Sequence, residues 1–216
     1  MNANIHISFD LDGTLIDSIP LMKDSWENAN KLLNLKVGWE QYRANIGLHF
    51  DEICSNLNLE FAKEEIKQTY FEYNKNNIKK IQLMPGVSTL LQELSEQHIS
   101  WSILTSKPRY TAEDIIQHFG FQPAAMICSD DVKIGKPHPE SADLLQKRLL
   151  HQKFEDTYYV GDTVIDHIFA LNSGFQFIQF QQQTQAMLDS EKTDALILNP
   201  RPIIHSMDVL LTTISS

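Results

Sequence analysis

The sequence predicts an α/β protein in which a doubly wound, parallel sheet is interrupted by an inserted all-helical segment. In the second half of the chain, short apolar runs alternate with helical segments, a pattern typical of parallel sheets. Residues 19–81 differ, because their apolar residues recur at helical spacing and β-branched runs are missing. We therefore expect a core domain of residues 1–15 and 82–216 and a helical cap domain of residues 16–81.

The elements of this core follow in order along the chain. The first strand is predicted at Ile5–Phe9, an apolar-rich run that ends in an acidic turn. Three or four helices should follow within the insertion. Residues 84–86 then mark a turn, and residues 87–94 have the i, i+3, i+4, i+7 spacing of a helix packed on a sheet.

The later elements complete the alternation. The tail should add a weak strand near residues 195–198 and a helix near residues 205–213. Further strands are predicted at 99–104, 125–128, 157–160 and 175–180, with helices near 110–119, 139–149 and 164–172. In open sheets of this kind ligands bind at the carboxyl ends of the strands, so the chemistry should cluster there.

Composition excludes several partner classes. The chain of 216 residues has 42% apolar and 21% charged residues, which is ordinary for a globular protein. Its formal net charge of -10 and pI near 5.2 oppose attraction to nucleic acid or an anionic membrane surface. An anionic substrate would therefore need a local pocket of lysines and helix N-termini.

The cysteines and the hydropathy pattern indicate the cellular compartment to expect for this protein. Cys54 and Cys128 stand far apart without the spacing of metal ligands, so we expect two buried, reduced thiols in a cytoplasmic protein. Neither an export signal nor an apolar run long enough to span a membrane is evident. The protein is expected to be a monomer or a homodimer, and the sequence does not decide between them.

Two acidic residues follow the first predicted strand. Asp10 and Asp12 can share a face of the strand exit, where one carboxylate could act as a nucleophile and the other could transfer a proton. Carboxylates this close repel each other unless a cation or a proton lies between them. An ordinary Asp-Gly turn would also explain the pair.

A hydroxyl pair and a lysine follow further along. Thr105 and Ser106 stand where a strand gives way to a helix, which suits phosphate binding, although this stretch taken alone favours a helix N-cap, for which Ser106 or Thr111 would serve equally well. Lys136 lies on a stiff Gly-Lys-Pro segment and could be a fixed cation, or simply a solvated loop lysine.

A second acidic pair follows the strand at 157–160. Asp162 should face the crevice, and Asp166 lies about one helical turn further on, so both could bind Mg²⁺ through oxygen. N-capping by Asp162 and favourable interaction of Asp166 with the helix dipole would also explain them. The ordered conjunction of acidic pair, hydroxyl, lysine and second acidic pair favours a single site over four unrelated explanations.

With these residues in place, the chain resembles the haloacid dehalogenase-like hydrolase superfamily, in particular its phosphoglycolate phosphatase-like branch with a helical cap. The resemblance spans nearly the whole chain and a Rossmann-like core. It rests on four ordered motifs, FDLDGTLIDS, LTSKP, GKPHPE and VGDTVID. This resemblance implies a phosphatase that hydrolyses a small phosphate ester with Mg²⁺ as its cofactor.

The resemblance also implies a role for each motif residue. Asp10 would attack phosphorus, and Asp12 would protonate the leaving oxygen and then activate water. Thr105 would hold the phosphoryl group, with a weaker claim for Ser106, and Lys136 would neutralise the phosphate and orient Asp10. Magnesium would be held by the Asp10 carboxylate, the Asp12 carbonyl oxygen and Asp162, with Asp166 acting directly or through water.

Other functions and contacts remain open from sequence alone. Arg43 is a candidate substrate contact in the cap, although a solvated helix face is the commoner place for arginine. A sugar phosphomutase of the same superfamily would use the same aspartates. A dehalogenase is disfavoured, because the dehalogenase branch of the superfamily lacks an acid/base carboxylate at the position of Asp12. A non-catalytic binding module is the alternative of a different class.

Overall fold

The protein contains a parallel sheet with helices on both faces and a helical insertion after the first strand. The computed structural model describes residues 5–149, 154, 156–182 and 202–215. The sheet strands in this part of the chain are β1 (Ile5–Phe9), β4 (Ser100–Leu104), β5 (Ala125–Ile127), β6 (Asp156–Gly161), β7 (Gln176–Phe180) and β8 (Ile203–Ile204). A separate antiparallel pair joins β2 (Ile16–Asp17) to β3 (Gln82–Leu83).

Strand order places β1 in the middle of the sheet. The order is β5-β4-β1-β6-β7-β8, and every neighbouring pair is parallel. The chain moves from β4 to β5 on one side of β1 and then crosses to β6 on the other side. Such a reversal opens a crevice at the carboxyl ends of the central strands, and Asp10 follows β1 directly.

Helices cover the sheet on both faces, as a doubly wound fold requires. The elements outside the insertion are α5 (Val87–Glu96), α6 (Arg109–Phe119), α7 (Glu140–Arg148), α8 (Val164–Ser173) and α9 (Leu210–Ser215). Buried residues of α5, α6 and α9 pack with Ile7 and Phe9 of β1 in one cluster. Those of α7 and α8 pack with Tyr159 and Phe177 in another. The predicted fold class is therefore confirmed.

The insertion has an apolar core of its own. Its helices are α1 (Ile19–Leu33), α2 (Trp39–Arg43), α3 (Phe50–Asn56) and α4 (Lys63–Asn76). Trp26 and Tyr42 stack with ring centroids 4.3 Å apart, and the Trp26 indole N–H donates to Val37 O at 3.0 Å. These residues belong to a buried cluster distinct from those of the sheet. A cap domain with limits at 16 and 81 stays a prediction.

Two details differ from the sequence-based expectation. The β2–β3 pair closes the base of the insertion, where the sequence predicts only helix and turn, because strands of two residues are too short to show periodicity. The tail helix begins later than predicted: β8 and a 3₁₀ turn at Met207–Val209 precede α9. The strand predicted near 195–198 lies outside the described residues.

Two further expectations can be compared with the structure. Cys54 and Cys128 are both buried and free, as predicted. No helix in the described ranges combines the length and the apolarity needed to cross a bilayer.

A buried polar chain crosses β1 and β4. His6 Nε2 lies 2.9 Å from Ser102 Oγ, its Nδ1 lies 3.0 Å from Ser100 Oγ, and Ser8 Oγ lies 2.9 Å from Ser102 Oγ. Burial lowers the pKa of His6 to about 4, from an ordinary value of 6.5. Folding therefore favours the neutral imidazole.

This histidine predicts acid sensitivity. Between pH 6.5 and 4 the unfolded chain binds a proton at His6 that the folded chain excludes, so the free energy of unfolding should fall as the pH falls through this window. The difference between the two pKa values corresponds to roughly 3 kcal/mol at most. Urea unfolding at several pH values should show a shallower acid dependence for His6→Gln. An identical dependence in the wild type and the variant would contradict this assignment.

Candidate active site

The carboxyl ends of β1, β4 and β6 bring the predicted residues to one edge of the sheet. Asp10 and Thr105 each stand one position beyond a strand end, and their backbone N–H groups donate to Val160 O at 2.9 Å and Ile127 O at 3.0 Å. The parallel ladders thus continue one residue into the site and fix both backbones. Both residues are buried.

Lys136 is the centre of the buried charges. Its ammonium group donates to Asp10 Oδ1 at 2.6 Å, Asp166 Oδ1 at 2.8 Å and the Tyr159 hydroxyl at 2.9 Å. These three acceptors match the three N–H donors of the group, and the side chain is 3% exposed. Burial acts to lower the pKa of Lys136, but the two carboxylates outweigh it and raise the pKa well above its usual value. Lys136 is thus no solvated loop lysine.

Three carboxylates gather around this lysine. One oxygen each of Asp10, Asp162 and Asp166 lies within 4.8 Å of the others. Burial raises the pKa of Asp10 to about 7, with Lys136 opposing the shift and Asp166 and Asp12 adding to it. Burial, with the charges of Asp166 and Asp10, also raises the pKa of Asp162 well above its usual value. One lysine does not balance three carboxylates, so this oxygen-rich set fits a divalent cation such as Mg²⁺.

Asp166 has two structural roles at once. Burial acts to raise its pKa, but Lys136 and Thr163 outweigh burial and lower it. Its Oδ2 accepts from the Thr163 N–H at 3.1 Å and hydroxyl at 2.5 Å, while the Asp166 N–H donates to Thr163 Oγ1 at 3.1 Å. This capping box begins α8, so Thr163 and not Asp162 is the N-cap residue. Asp162 instead accepts a hydrogen bond from Thr14 at 3.0 Å.

Gly13 lets the first loop approach Asp162. Its φ of +85° lies in the left-handed region, and a Cβ at this position would come within 2.4 Å of Asp162 Oδ2. The Asp-Gly sequence is thus more than a turn signal, because any side chain here would displace a carboxylate of the cluster.

Asp12 has partners other than those of the three carboxylates. Its Oδ1 accepts from the Ser18 hydroxyl at 2.5 Å, and its Oδ2 lies 3.1 Å from Lys107 Nζ. Asp10 and Asp12 therefore follow the same strand but pair with different lysines, Asp10 with Lys136 and Asp12 with Lys107.

Three further residues predicted to contact substrate, Thr105, Ser106 and Arg43, have defined partners in the structure. The Ser106 hydroxyl donates to Gly47 O of the insertion at 2.6 Å, and Pro108 is the N-cap residue of α6, so the helix-cap explanation of Ser106 is wrong. Thr105 Oγ1 accepts from the Lys107 N–H at 3.2 Å. Arg43 is not brought to the site: its side chain is 61% exposed and lies 3.6 Å from Glu40.

The insertion lies over the strand-end residues of the site. A cavity of about 60 Å³ lies between the strand-end residues Asp10, Asp12 and Thr105 and an apolar wall from the insertion. This wall consists of Met22, Tyr42, Ile46, Leu48, Phe50, Ile53, Tyr70 and Phe71. This space is about that of two water molecules, so we expect the wall to move when a substrate binds.

Sequence reasoning missed several partners of the predicted residues. Lys107 stands inside the LTSKP motif, and its place directly after the hydroxyl pair was the available signal. Tyr159 gave none, because a tyrosine in a buried strand is indistinguishable from core. Ser18 and Thr14 could have been suspected only from their closeness to the acidic pair.

Sequence comparisons identify known proteins that are similar to this chain. The family model described as haloacid dehalogenase-like hydrolase matches residues 7–180, which include all six predicted catalytic and metal-binding residues. Pyrophosphatase PpaX of Oceanobacillus iheyensis is 31% identical over 159 residues, 72% of this chain and 73% of that protein. Phosphoglycolate phosphatase of Rhodobacter capsulatus is 29% identical over 188 residues, 81% of this chain and 83% of that protein.

A solved structure supports the fold independently. A hydrolase from Pseudomonas syringae superposes with a TM-score of 0.75 at 21% identity, and the match covers 97% of each chain. At this level of identity, the likeness concerns the fold alone.

The approach of Gly13 to Asp162 can be tested by substitution. Gly13→Ala should displace Asp162 and lower the affinity for Mg²⁺ by about 10- to 100-fold, as loss of a group that orients a metal ligand commonly does. Isothermal titration calorimetry with Mg²⁺ measures this change.

The control is Gly120→Ala. Gly120 also has a positive φ, of +68°, but a Cβ there meets nothing within 4 Å. Both variants should lose about 1 kcal/mol of stability to backbone strain, and Gly120→Ala should bind Mg²⁺ like the wild type. Equal metal affinity in the two variants would contradict the proposed effect on Asp162.

Proposed function

Because the chain belongs to the haloacid dehalogenase-like hydrolase family and is a phosphoric monoester hydrolase, we propose that it hydrolyses a small phosphate ester with Mg²⁺ through a phosphoaspartyl intermediate on Asp10. The observation that carries this proposal is the contact of Asp10 Oδ1 with Lys136 at 2.6 Å inside a buried group of carboxylates. The names of the relatives, a phosphoglycolate phosphatase and a pyrophosphatase, support a small phosphorylated substrate.

Asp10 is the proposed nucleophile. Lys136 binds one of its carboxylate oxygens and so orients the group beneath the cavity. Attack on phosphorus forms an Asp10–phosphorus bond and breaks the bond between phosphorus and the ester oxygen. The phosphoryl group itself would be held by Thr105 and nearby backbone N–H groups, with Lys136 balancing its charge.

Asp12 is the proposed acid and base. It lines the same cavity, two residues beyond Asp10, and would give a proton to the leaving oxygen. In the second half of the reaction it would take a proton from water as that water attacks phosphorus. The phosphoaspartate then breaks down to inorganic phosphate and free Asp10.

The proposed metal ligands are Asp10, Asp162, the Asp12 carbonyl oxygen and Asp166, the last directly or through water. When bound, Mg²⁺ supplies positive charge that offsets repulsion between an anionic nucleophile and an anionic phosphate. Asp166 is already shared by Lys136 and the capping box of α8, which keeps its carboxylate in place at this edge.

Turnover of p-nitrophenyl phosphate tests this function. The protein with Mg²⁺ should release inorganic phosphate, and EDTA or Asp10→Asn should abolish the release. Acid quenching followed by peptide mass spectrometry should find a phosphoryl group on the peptide that contains Asp10. Release that survives EDTA treatment would contradict the metal dependence. With a sugar phosphate as substrate, an isomerised product without free phosphate would indicate a mutase.

Asp12 and Asp162 should separate in their effects. Asp12→Asn should lower kcat for an alkyl phosphate by about 10²- to 10⁴-fold, because the proton donor is lost, yet bind Mg²⁺ normally, because its carbonyl oxygen remains. Asp162→Asn should lower the affinity for Mg²⁺ itself. Steady-state kinetics and calorimetry on both variants measure the two effects, and equal loss of metal affinity would sink the distinction.

A further inference from the structure

Lys107 is a cation at the site, and the proposed mechanism assigns it no role. It follows Ser106 between β4 and α6, and its side chain is 8% exposed. Among the described residues that line the cavity, it alone carries a cationic side chain. Lys136 lies deeper, where all three of its N–H donors are engaged.

The contacts of Asp12 show why Lys107 matters for the reaction. Both carboxylate oxygens of Asp12 are engaged, Oδ1 by the Ser18 hydroxyl at 2.5 Å and Oδ2 by Lys107 at 3.1 Å. A proton donor must come within hydrogen-bond reach of the leaving oxygen. Each partner occupies part of the oxygen that it contacts, so Lys107 competes with the leaving oxygen for Asp12 Oδ2.

The surroundings indicate what could draw Lys107 away. The insertion offers mainly aliphatic and aromatic side chains to the cavity, among them Leu48, Phe50 and Phe71. A negative charge on the leaving group would be poorly solvated beside that wall, and Lys107 is the cation within its reach. An uncharged leaving group would offer no anion to replace Asp12 as the partner of Lys107.

On the basis of the function proposed above, we propose that Lys107 selects substrates whose leaving group carries its own negative charge, a carboxylate or a second phosphoryl group. The lysine exchanges the Asp12 carboxylate for the substrate anion. This exchange frees Asp12 Oδ2 for the leaving oxygen. Substrate selection and proton transfer are then linked, because the substrate anion that binds Lys107 also makes the Asp12 carboxyl group available to the leaving oxygen.

The position of Lys107 limits where the charge must lie. Its ammonium stands about one hydrogen-bond length from the oxygen that would protonate the ester. An anionic group only a few bonds beyond the ester oxygen would reach it, as the carboxylate of phosphoglycolate or the second phosphoryl of pyrophosphate does. The two sources share one chemistry, and separate substrates distinguish them.

The test compares matched substrates in the full-length, Mg²⁺-loaded protein. Phosphoglycolate is paired with its amide, phosphoglycolamide, which has the same shape without the charge, and pyrophosphate is assayed against the same amide. We expect the wild type to prefer at least one anionic substrate by tenfold or more in kcat/KM. The substrate that shows the preference identifies the anion as a carboxylate or a phosphoryl group.

Substitution of Lys107 should remove the preference. Lys107→Gln should reduce the ratio to less than about threefold, mainly by slowing the anionic substrate, and Lys107→Arg should restore much of it. The control is Lys80→Gln, which removes a lysine that pairs with Asp24 at 2.8 Å on an exposed surface outside the cavity, and it should keep the wild-type ratio.

Three results would overturn the role of Lys107. One is a wild type that turns over the amide as well as both anionic substrates, which needs no variant to observe. Another is equal loss on charged and uncharged substrates in Lys107→Gln, as a purely structural lysine would produce. The third is no Mg²⁺-dependent phosphate release by the wild type from any of these substrates or from p-nitrophenyl phosphate, which would refute the proposed function as well.

Discussion

The site depends on one buried ammonium group. Lys136 holds Asp10 and Asp166 together at an edge where their charges would otherwise repel, and Tyr159 takes its third donor. Removing any one of these partners would leave a buried charge or donor unpaired, which is strongly unfavourable. The arrangement also joins three distant parts of the chain, the exit of β1, the loop before α7 and the first turn of α8. Folding of the core therefore assembles the site.

The helical insertion and the sheet core contribute different parts of the site. The insertion buries its own apolar cluster around Trp26 and Tyr42. Besides the apolar wall of the cavity, its contacts near the site are the hydrogen bond from Ser18 to Asp12, the bond from Ser106 to Gly47 O, and the His49 ring, which lies 2.1 Å from where a Cβ of Gly135 would be. A separate core with few polar contacts across the cleft suits a lid that must open and close. In the proposed mechanism the core supplies the reacting groups, and the insertion supplies the apolar wall beside the leaving group.

The sequence predicted the fold and the residues of the cluster better than their partners. Strand ends and acidic pairs are local signals, so Asp10, Asp12, Asp162 and Asp166 could be found by reading along the chain. Pairing is not local. The contacts of Lys136 with Asp10 and of Lys107 with Asp12 join residues that only the folded sheet brings together, and short strands such as β2 and β3 carry no periodicity to detect. Arg43 is the reverse case, because its position in the cap suggested a substrate contact, whereas its exposed side chain lies beside Glu40, as the alternative of a solvated helix face predicts.

The negative net charge of the chain makes the placement of the two lysines at the site, Lys107 and Lys136, decisive. A protein with a formal charge of -10 does not attract phosphate esters by its overall field, so recognition must come from cations buried at the site. Lys136 and Lys107 both have side chains less than a tenth exposed, and each faces a different aspartate of the same loop. Buried charges act at short range and are weakly screened, so each affects mainly the atoms it touches. Separate lysines can therefore serve the phosphoryl group and the leaving group independently, which lets specificity change without disturbing the phosphoryl chemistry.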